Sequence, residues 1–300
     1  MNLAVQVIVN PAAGRSGDRN KLVAIRNQFA RRGINDVVET TTPGEEAILA
    51  QRAIAAGADL IVAVGGDGTC NKIANAILAS QSECALAVVP AGTGNDFAKT
   101  LGVHRYNPEQ IADLIARANP ARVDVGEIDG RFFLNSCGFG FDASVLDASN
   151  RVTFLKGDAV YIYSALKQLL TYKGLDVSAD RVVQRGTARM LMVTVSNGQY
   201  LGGAFRIAPH ASVTDGKLDV CFIDNSGVFQ RIGLFAAALR GRHLGMRSVT
   251  HDTVEEMKLT FAAAPAMELD GELRVARSTT VHISCIPRAL SVIAAPHAIG

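Results

Sequence analysis

Asp59-Leu60-Ile61-Val62-Ala63-Val64-Gly65-Gly66-Asp67-Gly68-Thr69 is the stretch that decides the fold of this chain. A run of apolar, largely β-branched residues stops at paired glycines, an aspartate, a third glycine and a threonine, after which Ile73 and Ile77 return at helical spacing. The pattern is a buried strand that passes through a glycine-rich turn into a helix, the unit from which helix-covered parallel sheets are built. Glycines at such a turn let backbone N–H groups come close to a phosphate, and the helix start adds the positive end of its dipole. Asp67 needs its own explanation, because a carboxylate beside phosphates repels them unless a cation intervenes, and magnesium is the natural bridge. The plain structural alternative is a tight turn with a capping aspartate.

Working outward, the same grammar recurs on both sides. LAVQVIVN near the start reads as a first strand, followed by a helix over about 18–32 with Leu22, Ile25 and Phe29 on one face. A helix over about 45–56 carries Ile48 and Ile54 and leads through Gly57 into the deciding strand. After the third helix, ALAVVP ends in Pro90-Ala91-Gly92-Thr93-Gly94-Asn95-Asp96-Phe97-Ala98, a second glycine-rich turn that also opens a helix. Thr93 and Asn95 supply hydrogen-bonding groups there, and Asp96 a carboxylate. In open α/β sheets ligands bind beyond the carboxyl ends of the strands, so two such loops on neighbouring strands point to a nucleotide-phosphate site. No GxxxxGK[ST], GxGxxG, HRD or DFG string occurs, which sets aside the P-loop, Rossmann and protein-kinase schemes.

Past residue 122 the texture changes to hairpins, starting with VDVGEIDGRFFLNS and its Asp129-Gly130 turn. ARMLMVTVSN, KLDVCFID, EEMKLTFAA, AMELDGE, TTVHISC and ALSVIAA are further short strand candidates and predict a β-sandwich. Helical inserts are expected near 158–172 and 227–241. The reading is therefore an α/β domain with a parallel sheet over 1–125, rejoined by 288–300, and an all-β sandwich domain over 126–287, abutting with a cleft between them. A length of 300 residues, 48% of them hydrophobic, suits two such cores. Thirty Lys plus Arg against 28 Asp plus Glu leave a formal charge of +2, too little to gather nucleic acid. Cys70, Cys84, Cys137, Cys221 and Cys285 form no CxxC pair and read as buried thiols of a reducing compartment. With no signal-peptide pattern at the start and no apolar run long enough to span a bilayer, a soluble cytoplasmic protein is expected.

These residues resemble the catalytic family of diacylglycerol kinases, which includes bacterial lipid kinases, sphingosine kinases and ceramide kinases and is distantly similar to NAD kinases. Asn10-Pro11-Ala12-Ala13-Gly14 resembles the family's first nucleotide loop, and Thr40, four residues before Gly44, matches a threonine used at the nucleotide. GGDGT at 65–69 and GTGNDFA at 92–98 resemble its central motifs, and Asp124 of RVDVG fits an acidic position at the domain junction. NGQYLGGAFRIAPHASVTDGKLDV resembles a segment ending in a metal-binding turn, LDGE at 269–272 the catalytic signature, and IPRALSVIAAP the last strand, which returns to the first domain.

The resemblance implies an ATP- and Mg2+-dependent lipid kinase that phosphorylates the hydroxyl of diacylglycerol or a related alcohol. It gives Glu272 the role of general base, which must lie within hydrogen-bond reach of the acceptor hydroxyl. Asp67, Asp96 and Asp124 are assigned to magnesium and water around the phosphates, with Asp67 foremost and Asp67 and Asp124 counted with Glu272 as catalytic. Gly65, Gly66, Gly68, Thr69 and Asn71 join the first loop, Thr40, and Gly92 to Asp96 at the nucleotide. The Asp215 side chain with the Ser212 and Lys217 carbonyls forms the metal turn, an ordinary Asp-Gly turn being the alternative. One departure stands out, since Lys72 occupies the place of the family's usual glutamate, in the first turn of a helix and against the dipole preference.

For the acceptor, helix 227–240 combines Val228, Ile232 and Phe235 with Arg231, and Arg240, Arg242, His243 and Arg247 follow. Such a segment either packs on the core or rests on an anionic bilayer, which would make the protein peripheral at the inner membrane face. The oligomeric state stays open, a homodimer included. Two other functions compete: an NAD kinase-like enzyme acting on a soluble substrate, which shares GGDGT, and a catalytically silent nucleotide-binding regulator, for which Lys72 is the one supporting feature.

Overall fold

The computed structural model describes residues 3–13, 19–117, 119–152, 158–180, 187–296 and 298–299. Gly14 and the side chain of Leu22 lie outside what is described. The chain divides into two compact units, one of residues 1–125, 213–215 and 287–300, the other of residues 126–212 and 216–286.

The first unit alternates strands and helices: β1 (Val5–Val9), α1 (Arg19–Ala30), β2 (Val37–Glu39), α2 (Glu45–Ala55), β3 (Leu60–Gly65), α3 (Asp67–Ala79), β4 (Ala85–Pro90), α4 (Asp96–Thr100), α5 (Pro108–Arg117) and the start of β5 (Ala121–Ile128). Strands pair in parallel in the order β2-β1-β3-β4. The register sets Val9 opposite Val64 and Val64 opposite Val89. The chain therefore leaves β1, β3 and β4 along one row, so the residues after each strand sit side by side. Parallel strands sandwiched between helices are apolar on both faces. Val7, Val9, Leu60, Val62, Val64 and Val89 pack with Ile25 and Phe29 of α1 and Ile111 and Ile115 of α5. On alternate positions Ile8, Ile61, Ala63 and Val88 are also buried, as are Ile73 and Ile77 of α3.

The second unit is an antiparallel β-sandwich. Its elements are β6 (Arg131–Phe133), β7 (Ser136–Gly140), α6 (Phe141–Arg151), α7 (Asp158–Thr171), β8 (Leu175–Ala179), β9 (Ala188–Ser196), β10 (Leu218–Asp224), α8 (Val228–Ala238), β11 (Val249–Val254), β12 (Glu256–Phe261), β13 (Ala266–Leu269), β14 (Glu272–Val275) and β15 (Thr280–Val292), whose end belongs to the first unit. β14, β13, β7, β9, β10 and β11 pair in succession, while the start of β9 also pairs β8, and β8 pairs β12. Phe139, Val193, Val195, Val220, Phe222, Leu259 and Ile283 fill the interior. A second apolar cluster joins Phe141 and Val145 of α6 and Leu234 of α8 to Leu191 and Ile223.

The structure departs from the sequence reading at several places, β8 and β11 being strands that it did not name. TTVHISC and ALSVIAA form one strand, β15, which runs through Pro287 and absorbs the turn signal in Arg288 at φ 51°. Helix α6 occupies FDASVLDASNR, capped by Gly140, where the sequence reading names no helix. Within α8, Arg231 is not part of an exposed basic face: it is buried and donates to the carbonyls of Leu169, Tyr172 and Ser226 and to Asn225 Oδ1. Leu169 and Tyr172 stand at the end of α7, whose last carbonyls need donors, and the guanidinium supplies them. His243 is likewise buried, its Nε2 3.0 Å from the Ile207 carbonyl, and burial lowers its pKa. All five cysteines are buried, and burial pushes the thiols of Cys84 up to about 11 and Cys221 up to about 12, so neither is a thiolate at neutral pH. Among the described residues no helix is long and apolar enough to cross a membrane.

Candidate active site

In the first unit the three loops past β1, β3 and β4 are tied to one another. Gly66 and Gly92 face each other so closely that a Cβ on Gly92 would lie 2.5 Å from the Gly66 Cα, and one on Gly66 would lie 3.1 Å from the Gly92 Cα. Both obstacles are backbone, so a side chain at Gly92 would force the two turns apart, and one at Gly66 would press on them by a few tenths of an ångström. Asp67 Oδ1 accepts from the Phe97 amide at 3.0 Å, which fastens the start of α3 to the start of α4. Asn95, in the left-handed region at φ 53°, closes its own loop in both directions: its Oδ1 accepts from the Gly92 amide and its Nδ2 donates to the Gly92 carbonyl. Thr93 stays exposed between them. Asp96 is buried, with Oδ1 2.8 Å from Lys99 Nζ.

Asn10 joins this arrangement from β1. Its backbone N–H donates to the Val64 carbonyl, its Oδ1 accepts from the Ala12 amide, and its Nδ2 donates to Thr69 Oγ1 and to Glu46 Oε1, both at 3.0 Å. Thr69 and Thr40 are buried, and the Thr40 amide donates to the Val9 carbonyl. Pro11 and Ala13 are half-buried and Ala12 is exposed, as a loop at a binding surface requires. Asn71 and Lys72 follow in α3, both half-buried; the Asn71 side-chain oxygen accepts from Asn75 Nδ2.

Asp124 sits apart from these loops in sequence and is 1% exposed. Its Oδ1 accepts from the Arg288 amide and its own amide donates to the Val213 carbonyl, each at 2.7 Å. Segment 213–215 and the end of β15 are thus attached to the first unit through this residue. Asp215 is exposed in the turn before β10, followed by Gly216 at φ 73°. Among the described residues no group of three His, Cys, Asp or Glu side chains forms a metal cluster.

In the second unit, Glu272 begins β14 at the end of a tight hairpin, paired with Leu269 across the Asp270-Gly271 turn. Both turn residues have positive φ, 46° and 86°, the conformation that two-residue hairpins need. Asp270 is buried and its carboxylate accepts from the amides of Leu134, Asn135 and Ser136 at 2.6, 2.8 and 3.0 Å. Glu268 Oε1 accepts from the Gly271 amide at 2.5 Å. The hairpin tip is therefore anchored from inside while Glu272, half-buried, pairs with Arg274 at its surface.

Sequence reasoning assigned no task to Glu46, Asp270 or Glu268. A signal for Glu46 existed, since Glu46, Ala50 and Ala53 repeat at four and three residues and share the buried face of α2.

The two turns approach at their glycine Cα atoms, and α3 begins directly after Gly66, a cap residue with no side chain of its own. Comparison with known proteins gives the family. The description "Diacylglycerol kinase catalytic domain" matches residues 4–128, and "YegS C-terminal NAD kinase beta sandwich-like domain" matches 135–294. A diacylglycerol kinase of Bacillus subtilis (strain 168) is 27% identical over 271 residues, covering 89% of each chain. One of Mycobacterium tuberculosis is 27% identical over 305 residues, with 98% of this chain and 96% of that one covered. The crystal structure of a Bacillus anthracis (strain Sterne) diacylglycerol kinase superposes over 100% of both chains with a TM-score of 0.76 at 24% identity, which shows the shared fold. With both halves matched in order over nearly the whole length, the chain belongs to the diacylglycerol kinase family of lipid kinases and is a phosphotransferase that acts on an alcohol group.

Proposed function

We propose that the protein transfers the γ-phosphate of ATP, with magnesium, to the hydroxyl of diacylglycerol or a closely related lipid alcohol. The observation that carries the reading is the meeting of the glycine turns at Gly66 and Gly92, locked by the Asp67 bond to the Phe97 amide. Phosphoryl transfer asks a protein chiefly for positioning and for neutralised charge. Asn10 to Ala13, Gly14, Thr40, Gly65 to Thr69, Asn71 and Gly92 to Asp96 are assigned to the nucleotide. Bound magnesium would supply the charge that lets carboxylates stand beside phosphates. Asp67, Asp96 and Asp124 are the candidates to bind it or its waters, and Asp215 with the Ser212 and Lys217 carbonyls forms a further candidate site. Glu272 takes the proton from the acceptor hydroxyl, leaving the oxygen able to attack phosphorus.

The lipid acceptor makes peripheral membrane contact part of the proposal. Tyr163, Leu166 and Leu170 of α7 and Phe229, Ile232 and Leu239 on or just after α8 are large apolar side chains left exposed. No carboxylate occurs from Asn225 to His251, whereas Arg240, Arg242 and Arg247 are exposed there, as are Lys167 and Lys173 by α7. An apolar stripe bordered by cations suits an anionic lipid surface.

The deciding assay offers labelled ATP with diacylglycerol and NAD side by side. Label recovered in a lipid phosphate, lost when magnesium is chelated, is the expected result; label in NADP or in neither product sinks the reading. Glu272→Gln should bind ATP normally and lose most transfer, and undiminished turnover would remove its assignment as base.

A further inference from the structure

Two adjacent glutamates open α2 and do different things. Glu45 reaches out, its Oε2 accepting from the amides of Thr41 and Thr42 and from Thr41 Oγ1. These donors hold its carboxyl below the usual carboxylate range. Glu46 is only 2% exposed and turns inward with Ala50 and Ala53. Its Oε1 accepts from Asn10 Nδ2 at 3.0 Å, and its Oε2 is buried with no hydrogen-bond partner among the described residues. A buried acidic group with one of its oxygens unsatisfied is costly, and alanine at this position, as at 50 and 53, would not carry that cost.

What the carboxylate provides is a one-way constraint. The Glu46 oxygen accepts, so the Asn10 side chain presents its NH2 end to it. The same NH2 group then reaches Thr69 Oγ1 at 3.0 Å, and the Asn10 carbonyl oxygen is left facing the Ala12 amide at 2.9 Å. If the Asn10 amide rotated by half a turn, its oxygen would face the Glu46 carboxylate and its NH2 group the Ala12 amide, while the Thr69 hydroxyl, which can donate or accept, would tolerate either end. Glu46 thereby determines the shape of the 10–13 loop and ties it to the first turn of α3.

We propose that Glu46 is a positioning residue for the nucleotide: through Asn10 it presets the loop at 10–13 against the GGDGT turn, so that ATP meets a formed site. This rests on the nucleotide-site reading above. Glu46→Met and Glu46→Gln keep the volume, but only glutamine can accept the Asn10 bond, so the pair separates orientation from packing. ATP affinity is measured by calorimetric titration without lipid, alongside thermal midpoints. Glu46→Met should weaken ATP binding by about tenfold, the loss expected when one buried hydrogen bond is left unmade, and Glu46→Gln should recover most of it. In an Asn10→Ala background the Met substitution should have almost no further effect. Wild-type affinity in Glu46→Met, equal losses in Met and Gln, or an undiminished effect without Asn10 would each overturn the inference. A wild-type protein that binds no ATP would instead overturn the nucleotide-site reading itself.

Discussion

Asp67 and Phe97, thirty residues apart in the sequence, are joined by a 3.0 Å hydrogen bond from the Phe97 amide to Asp67 Oδ1. On the proposed mechanism this carboxylate has two tasks, fastening the second glycine loop and binding magnesium. Asparagine can perform the first task but not the second. Asp67→Asn should therefore keep its thermal midpoint and lose magnesium-dependent transfer. Asp67→Ala should also lose about 1 kcal/mol of stability, as a deleted helix-start acceptor does. Urea unfolding and magnesium titrations of both variants check this; equal stability losses would show that the bond contributes nothing.

Gly92 is the position where the smallest side chain does the most harm. Its added Cβ would meet the Gly66 Cα at 2.5 Å, and backbone cannot rotate aside as a side chain does. Gly92→Ala should cost about 1–3 kcal/mol, the usual range for overpacking, and should weaken ATP binding as the two turns separate. Gly227→Ala is the control, because nothing lies within 4 Å of its Cβ position. Calorimetry on the two variants decides, and unaltered ATP affinity in Gly92→Ala would dissociate the cradle from the nucleotide.

Asp142, at the start of α6, has a carboxyl pushed up to about 7 by burial. Oδ1 accepts from the Ala143 amide, but Oδ2 has no hydrogen-bond partner among the described residues and lies against Gly138. An unfolded aspartate ionises near 4, so between about 4 and 7 the native state holds a proton that the unfolded chain has released. The resulting stability is complete below the unfolded value and is lost as pH rises through about 7. Asp142→Asn removes this dependence, and its stability relative to wild type should improve from pH 5 to pH 8 by a few kcal/mol, on the order of ~2–4. Thermal midpoints at both pH values test it; curves that stay parallel would refute the assignment.

The two candidate regions differed in how much of them the sequence disclosed. The glycine turns were legible because their signal is local: glycines follow directly on the apolar runs LIVAVG and ALAVVP, which mark their strands unaided. Asp270 was not, because its three amide donors at 134–136 lie over a hundred residues away and LDG reads as an ordinary turn. Arg231 was misread for a related reason: its partners are carbonyls at the end of α7, and carbonyls are present in every residue and leave no mark in a sequence. Helix α6 escaped because Gly138 and Gly140 precede it and dominate local propensity.

The last prediction concerns the outer face of α8. Phe229 is 90% exposed, Ile232 and Leu239 are half-exposed, and Arg231 is withdrawn into the interior. The cations bordering the stripe are thus Arg240, Arg242 and Arg247, beyond its end. If the face docks on lipid, apolar and charged substitutions must act differently. Phe229→Ala with Ile232→Ala should lower binding to phosphatidylglycerol-containing vesicles by about tenfold or more at every salt concentration, the loss of buried apolar area being insensitive to screening. Arg240→Glu with Arg242→Glu should weaken binding strongly at low salt and little at high salt, at about 1 kcal/mol per cation removed. Both pairs should slow phosphorylation of vesicle-borne diacylglycerol and spare a short-chain acceptor dissolved in water. Vesicle sedimentation with the two acceptor assays measures all of this. Wild-type vesicle binding in the Phe229–Ile232 pair would sink the docking face, and equal loss on both acceptors would show that the substitutions damaged the enzyme rather than its approach to the membrane.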